Sequence, residues 1–138
     1  RFPALAVAGA IAGSLAGLVQ AMGLLRWVMV VPQLAETGDT SGFTLLHAYA
    51  GVALGEHLGQ LLTALSVALI AIMQWNETRR ISAGLGAATT LAIAVGAFEG
   101  VALAIGADGS LFGTSAVLGY MLLTIWMIVS GLGLIRRA

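Results

Sequence analysis

Four apolar runs, at about residues 3–32, 43–75, 81–105 and 111–135, leave this chain one solvent. Each exceeds the roughly 20 residues that carry an α-helix across a hydrocarbon core of ~30 Å, and only short polar segments separate them. Charged residues make up 9% of the 138 positions and hydrophobic ones 59%, too few polar side chains to clothe a water-facing globule. The expectation is an all-α integral membrane protein whose surroundings are lipid. The same runs limit function. A net charge of zero provides no basic excess for phosphate neutralisation, so no nucleic-acid partner is expected. The absence of cysteine removes disulfides, thiolate zinc sites, iron–sulfur clusters and cysteine nucleophiles, while leaving the redox compartment open.

The connections are short. QLAETGDTSG (33–42) reads as a polar turn, with Ser41 or Thr40 as the N-cap of the next helix; NETRR (76–80) and GADGS (106–110) close the other two gaps. Loops of this length favour antiparallel neighbours, which predicts a single domain, 1–138, folded as an up-down-up-down four-helix bundle. The first run is too long and too interrupted, by Gln20 and Arg26, for a cleaved signal sequence, and is expected to be a retained span. The start at Arg1 rather than Met suggests that residues once preceded it. Arg1, Arg79, Arg80, Arg136 and Arg137 fall on one side of this topology, with Glu77 the one acid among them. Glu36, Asp39 and Asp108 fall on the other. By the positive-inside rule both termini are cytoplasmic.

Ionisable groups inside the spans are the candidate functional residues. A charge at mid-membrane costs roughly 2.5–3.5 kcal/mol on insertion scales, so such side chains face inward and seek partners. Arg26 lies about 12 Å from the outer end of its helix, Glu99 about 13 to 14 Å and Glu56 nominally about 21 Å, at 1.5 Å per residue. At about 100° per residue, Tyr49, Glu56, Gln60 and Thr63 share one face of the second helix, and His47, Gly51, Gly55 and Gly59 make a second stripe. His57 projects about 100° away from Glu56. Gly9, Gly13 and Gly17 with Gln20 give the first helix a small-residue face, Thr89, Ala92, Gly96 and Gly100 beside Glu99 do so for the third, and Gly113, Tyr120, Thr124, Met127 and Gly131 align on the fourth.

Two readings of Arg26, Glu56, Gln60 and Glu99 compete. In the structural one they form a buried ion pair or triad that fixes helix register. In the sharper one, the acid left over after Arg26 has neutralised its partner carries a proton or binds a cation. No cofactor is expected. A haem or metal at His57 is a lesser alternative: His47, ten residues along the same helix, stands about 15 Å away, too far to be a second axial ligand, and the Glu-x-x-His spacing of di-iron bundles is missing. No serine, threonine or histidine pattern suggests a catalytic triad or nucleophile elbow, so no catalytic residue is assigned. Trp27, Phe43, Trp75 and Phe112 sit towards span ends, as an aromatic belt would.

GLLRWVMVVPQLA (23–35) and HAYAGVALGEHLGQLLTA (47–64) together resemble a family of small bacterial multi-spanning membrane proteins described only as a domain of unknown function. The matching positions are Arg26, Trp27, Pro32, Gly51, Gly55, Glu56, His57 and Gly59, and the connection between the two segments is shorter here than the family pattern. The resemblance implies a polytopic bacterial membrane protein and supplies no activity. The leading expectation is a non-enzymatic accessory or scaffold protein of the bacterial cytoplasmic membrane, in contact with lipid and assembled through glycine faces as a homo-oligomer or within a larger complex. The alternative is a small proton-coupled carrier or channel.

Overall fold

The computed structural model describes residues 2–135. Arg1, Arg136 and Arg137, on which part of the orientation argument rests, lie outside the described residues. Those described are helical apart from short turns and contain no strand. Four helical runs, Pro3–Thr37, Thr40–Asn76, Arg80–Ala104 and Ser110–Ile135, are long and apolar enough to cross a membrane.

The first run is α1 (Pro3–Met29) followed by α2 (Val31–Thr37). Pro3 sits in the first turn, where its missing N–H costs nothing. Val30 leaves helical geometry (φ −121°), and Pro32 re-enters it in the first turn of α2. Gly38 then closes α2 in the left-handed region (φ 67°), a conformation that glycine adopts without a Cβ clash. Asp39 starts α3 (Thr40–Leu46) by accepting the Gly42 N–H at 2.8 Å. The expected polar turn over 33–42 is therefore mostly helix. The N-cap is Asp39 rather than Ser41 or Thr40, because it is the Asp39 carboxylate that reaches a free N–H of the first turn.

The second run holds the main departure from expectation. From His47 to Leu58 the backbone is a π-helix, π1, which α4 (Gly59–Asn76) continues; the Gly59 N–H reaches back five residues to the Leu54 carbonyl. π-helices are ordinarily single-turn bulges and often mark functional segments. Here one spans 12 residues and includes both histidines and Glu56. Each wide turn takes more residues than an α-turn, so angular positions counted at an α-helical 100° do not carry across it.

The third run breaks at Ala97 and Phe98, between α5 (Arg80–Gly96) and α6 (Glu99–Ala104). A side chain enters there: His57 Nδ1 lies 2.7 Å from the Ala97 carbonyl oxygen. After the turn at Gly106 (φ 75°), α7 (Ser110–Ile135) completes the chain. Asp108, exposed at that turn, accepts from the Ser110 N–H (2.9 Å) and hydroxyl (3.0 Å), and these two donors hold its carboxyl below the ordinary carboxylate range.

The runs pack in sequence order, α1 on α4 and π1, α4 on α5, and α5 on α7, while α1 and α7 form no comparable seam and are joined by a hydrogen bond between Gln20 and Tyr120. Glycines set the close approaches. A Cβ on Gly23 would stand 2.9 Å from the Ala50 carbonyl and the Gly55 Cα, and one on Gly96 would stand 2.6 Å from the Ala116 Cα. Polar bonds tie the far end: Gln74 donates to Ser130 (2.9 Å) and accepts from the Trp126 indole (3.2 Å), and Arg79 donates to the Ser130 carbonyl (2.8 Å).

Because the α5–α7 contact at Gly96 is backbone against backbone, Gly96→Val forces those helices apart. An overpacking cost of about 1–3 kcal/mol is expected, read as earlier thermal unfolding in detergent. Gly17→Ala, with nothing within 4 Å of its Cβ position, is the control and is expected to leave unfolding unchanged.

Candidate functional site

Arg26 is 8% exposed although it carries a full charge on an apolar helix. Three features hold it. Its Nη1 donates to the Gly23 carbonyl at 2.6 Å. Its Nη2 faces His47 Nδ1 at 3.5 Å, and since a guanidinium can only donate, this contact calls for an unprotonated Nδ1 on His47. Its plane also lies 5.2 Å from the Trp27 ring centre, and Trp27 and His47 both pack on Phe43, the imidazole parallel to the phenyl at 5.8 Å. Gly51 makes room for the guanidinium: a Cβ there would come within 2.6 Å of Nη2.

Below Arg26, Gln20 of α1 crosses the bundle. Its amide nitrogen donates to Thr63 of α4 and to the Tyr120 hydroxyl of α7, both at 3.0 Å, and its stem lies where a Cβ on Gly59 would be. That bridge ties α1 to α4 and α7. Above it opens a cavity of about 190 Å³, whose polar walls are Gln20, Arg26, Glu56, Gln60 and Tyr120. Two of its side chains are more than nine-tenths buried and keep an atom without a partner, Arg26 Nε, a donor, and Gln60 Oε1, an acceptor. Glu56 is exposed at the cavity's edge. No ion pair joins Arg26 to a carboxylate among the described residues; the guanidinium's partners are a carbonyl and an imidazole.

The structure thus brings together Arg26, Glu56 and Gln60 from the expected cluster. Glu99 is not among the walls of this cavity. Its carboxylate lies over the first turns of α7, where a Cβ on Gly113 would come within 2.6 Å of Oε1. The polar stripe on the second run also divides: Gln60 is buried and Thr63 binds Gln20, but Tyr49 is 68% exposed. The other stripe holds together, since Gly51, Gly55 and Gly59 all face α1, against Arg26, Gly23 and Gln20. Gly9 and Gly13 meet Ser66, whose hydroxyl donates to the Gly9 carbonyl at 2.8 Å, and Gly100 meets Val52. These glycine faces are used within the chain. Of the first helix's stripe, Gly17 alone has open space before it.

His57 turns away from the cavity, to Ala97 and, edge-on, to Phe98 at 5.7 Å. It lines a separate, mostly apolar groove of about 540 Å³ between π1 and α6, and His47 lines the same groove. The histidines therefore share a wall despite the ten residues between them. No group of three or more metal-ligating side chains occurs among the described residues. The sequence reading missed the Gln20–Tyr120 bridge. Both residues lay on the aligned small or polar faces, and pairing α1 with α7 was the missing step.

The two glutamines are expected to behave oppositely. Gln60→Leu removes a buried acceptor that has no donor, so stability is expected to hold or rise, by up to about 1–3 kcal/mol. Gln20→Leu breaks two bonds worth about 0.5–1.5 kcal/mol each and leaves the Tyr120 hydroxyl without its donor, so unfolding is expected earlier. Parallel denaturation curves check the contrast.

Set beside known protein-family models, curated proteins and solved structures, the chain matches none.

Proposed function

We propose that the chain is a non-enzymatic accessory or scaffold protein of the bacterial cytoplasmic membrane, which associates with copies of itself or with a larger membrane complex. Its four runs would then span up-down-up-down. In support, residues 9 and 66–70 meet, as do 23 and 50–55, so the first two runs travel in opposite directions. Arg79 and Arg80 lie at the turn nearest one end and Asp39 and Asp108 at the turns of the other, which by the positive-inside rule makes the arginine end, with both termini, cytoplasmic. The resemblance of the Arg-Trp and Gly-Glu-His-Leu-Gly segments to a small bacterial membrane family agrees with that setting.

The observation that carries association is the exposure of Glu56. This carboxylate stands well inside the second long helix, exposed at the edge of the cavity, and makes no hydrogen bond among the described residues. Lipid offers a carboxylate no compensation, and intramembrane acids are covered and paired in working assemblies. A neighbouring chain at this edge would supply a donor and cover α1 and α7, which belong to the two least buried runs and on which Gly17 and Gly131 have open space before them. Native mass spectrometry from mild detergent is expected to find a defined oligomer or a co-purifying membrane subunit, with Glu56→Gln shifting the population towards monomer. Monomer alone, without a partner, would sink this reading.

A second reading, a small proton-coupled carrier or channel, is favoured by one observation: Arg26 and Glu56 line a single cavity without neutralising each other. It predicts proton flux into proteoliposomes that disappears in Glu56→Gln and persists in Glu99→Gln, whose carboxylate lies outside that cavity. Absence of flux in the unmodified protein would count against it.

A further inference from the structure

A helix begins with amide N–H groups that its own carbonyls cannot reach, and a side chain ordinarily accepts from them. At the start of α5 none does. The N-cap position is Arg79, whose side chain has donors and no acceptor, and the N–H groups of Arg80, Ile81 and Ser82 find no partner among the described residues. These four residues line an open groove of about 650 Å³ between the start of α5 and the last turns of α7. Ser82 is only 6% exposed, yet its hydroxyl has no hydrogen bond among the described residues and is not sealed from the surface, so the access it keeps is through the groove it lines. Arg79 gives one N–H to the Ser130 carbonyl at 2.8 Å and lies over Gly133, where a Cβ would come within 2.5 Å of Nη2. Its Nε and Nη1 are without partners among the described residues and are likewise unsealed. No carboxylate is among the walls.

We propose that this groove binds the phosphate of an anionic phospholipid. The non-bridging oxygens of a phosphodiester accept from a guanidinium, a hydroxyl and the amides of a first helical turn together, which is the set of donors left open here. A cation would meet Arg79, and an apolar molecule would leave the donors unsatisfied. The remaining walls decide between a lipid and free phosphate. Val129 and Leu132 of α7 face the groove beside Ile81, and the exposed Leu132 continues along its helix face into the exposed Ile128 and Ile125, a strip on which an acyl chain can lie. Basic pockets between helices at the end of a span suit anionic headgroups for this reason. Arg80 carries the same charge, but its guanidinium lies 3.8 Å from the ring centre of Trp75, which is not a wall of the groove, so the phosphate is assigned to Arg79. The site is complete within one chain and would remain if the protein proved monomeric.

The test is equilibrium binding to the purified full chain in a mild non-ionic detergent, with short-chain phosphatidylglycerol, short-chain phosphatidylcholine and inorganic phosphate as the three probes. Phosphatidylglycerol is expected to bind at least about tenfold tighter than either of the others, since phosphatidylcholine brings a cation to a groove of donors and inorganic phosphate makes no use of the apolar strip. Arg79→Gln is expected to weaken phosphatidylglycerol binding about tenfold or more. Arg80→Gln, which removes the same charge one residue away, is expected to cost no more than a few-fold. Ser82→Ala keeps the helix and the Ser130 bond of Arg79, and serves as a second variant with binding weakened several-fold even where Arg79→Gln fails to fold. Equal binding of the two lipids, inorganic phosphate binding as tightly as phosphatidylglycerol, equal losses in Arg79→Gln and Arg80→Gln, or undiminished binding in Ser82→Ala would each overturn the proposal.

Discussion

A guanidinium cannot be left bare in hydrocarbon, and the upper part of this bundle is arranged around satisfying the one at Arg26. Its position requires Gly51 to lack a side chain, His47 to offer a lone pair, and the Gly23 carbonyl to accept a bond in addition to its place in the helix. These demands fall on two helices at once. They fix how α1 and π1 meet, and they explain why that meeting is lined with glycine where an ordinary membrane seam would use alanine or serine as well. The arginine is held by neutral groups, an arrangement that leaves Glu56 uncommitted.

Polar side chains, rather than apolar fit alone, then decide which helices lie together. Apolar faces are poor at choosing partners in lipid, because the tails compete equally well for them. Gln20 selects α4 and α7 on one level, and Gln74 selects α7 through Ser130 and Trp126 on another. Ile93 and Thr89 of α5 are fully buried, with Ile93 packed against Gly119 of α7.

Much of this was legible in the residues. The four runs follow from apolar length, and the glycine stripe of the second helix lies against α1 at Arg26, Gly23 and Gln20, because close contact between helices depends on the absence of Cβ atoms. Two things were hidden. The π-helix has no signature in the apolar pattern; its wide turns separate Tyr49 from Gln60, which an α-helical count had placed on one face. Depth counting put Arg26 and Glu99 on one level, but depth says nothing of which neighbour a side chain meets. Glu99 follows the break at Ala97 and lies over α7. The cavity lay in part within reach, since Arg26, Glu56 and Gln60 stood out as polar groups in apolar runs, whereas Gln20 and Tyr120 joined it only once α1 and α7 were seen to meet.

The unequal helix lengths bear on how the molecule would sit in a film of lipid. The first two runs have 35 and 37 residues and the last two 25 and 26. At 1.5 Å per residue, one hairpin is about 15 Å longer than the other. A bilayer of uniform thickness matches the shorter pair almost upright and obliges the longer pair to lean or stand proud. Tyr120 is the shorter pair's one contribution to a cavity otherwise walled by the longer pair, so a thicker membrane would hold its hydroxyl against Gln20 at a different angle from a thinner one.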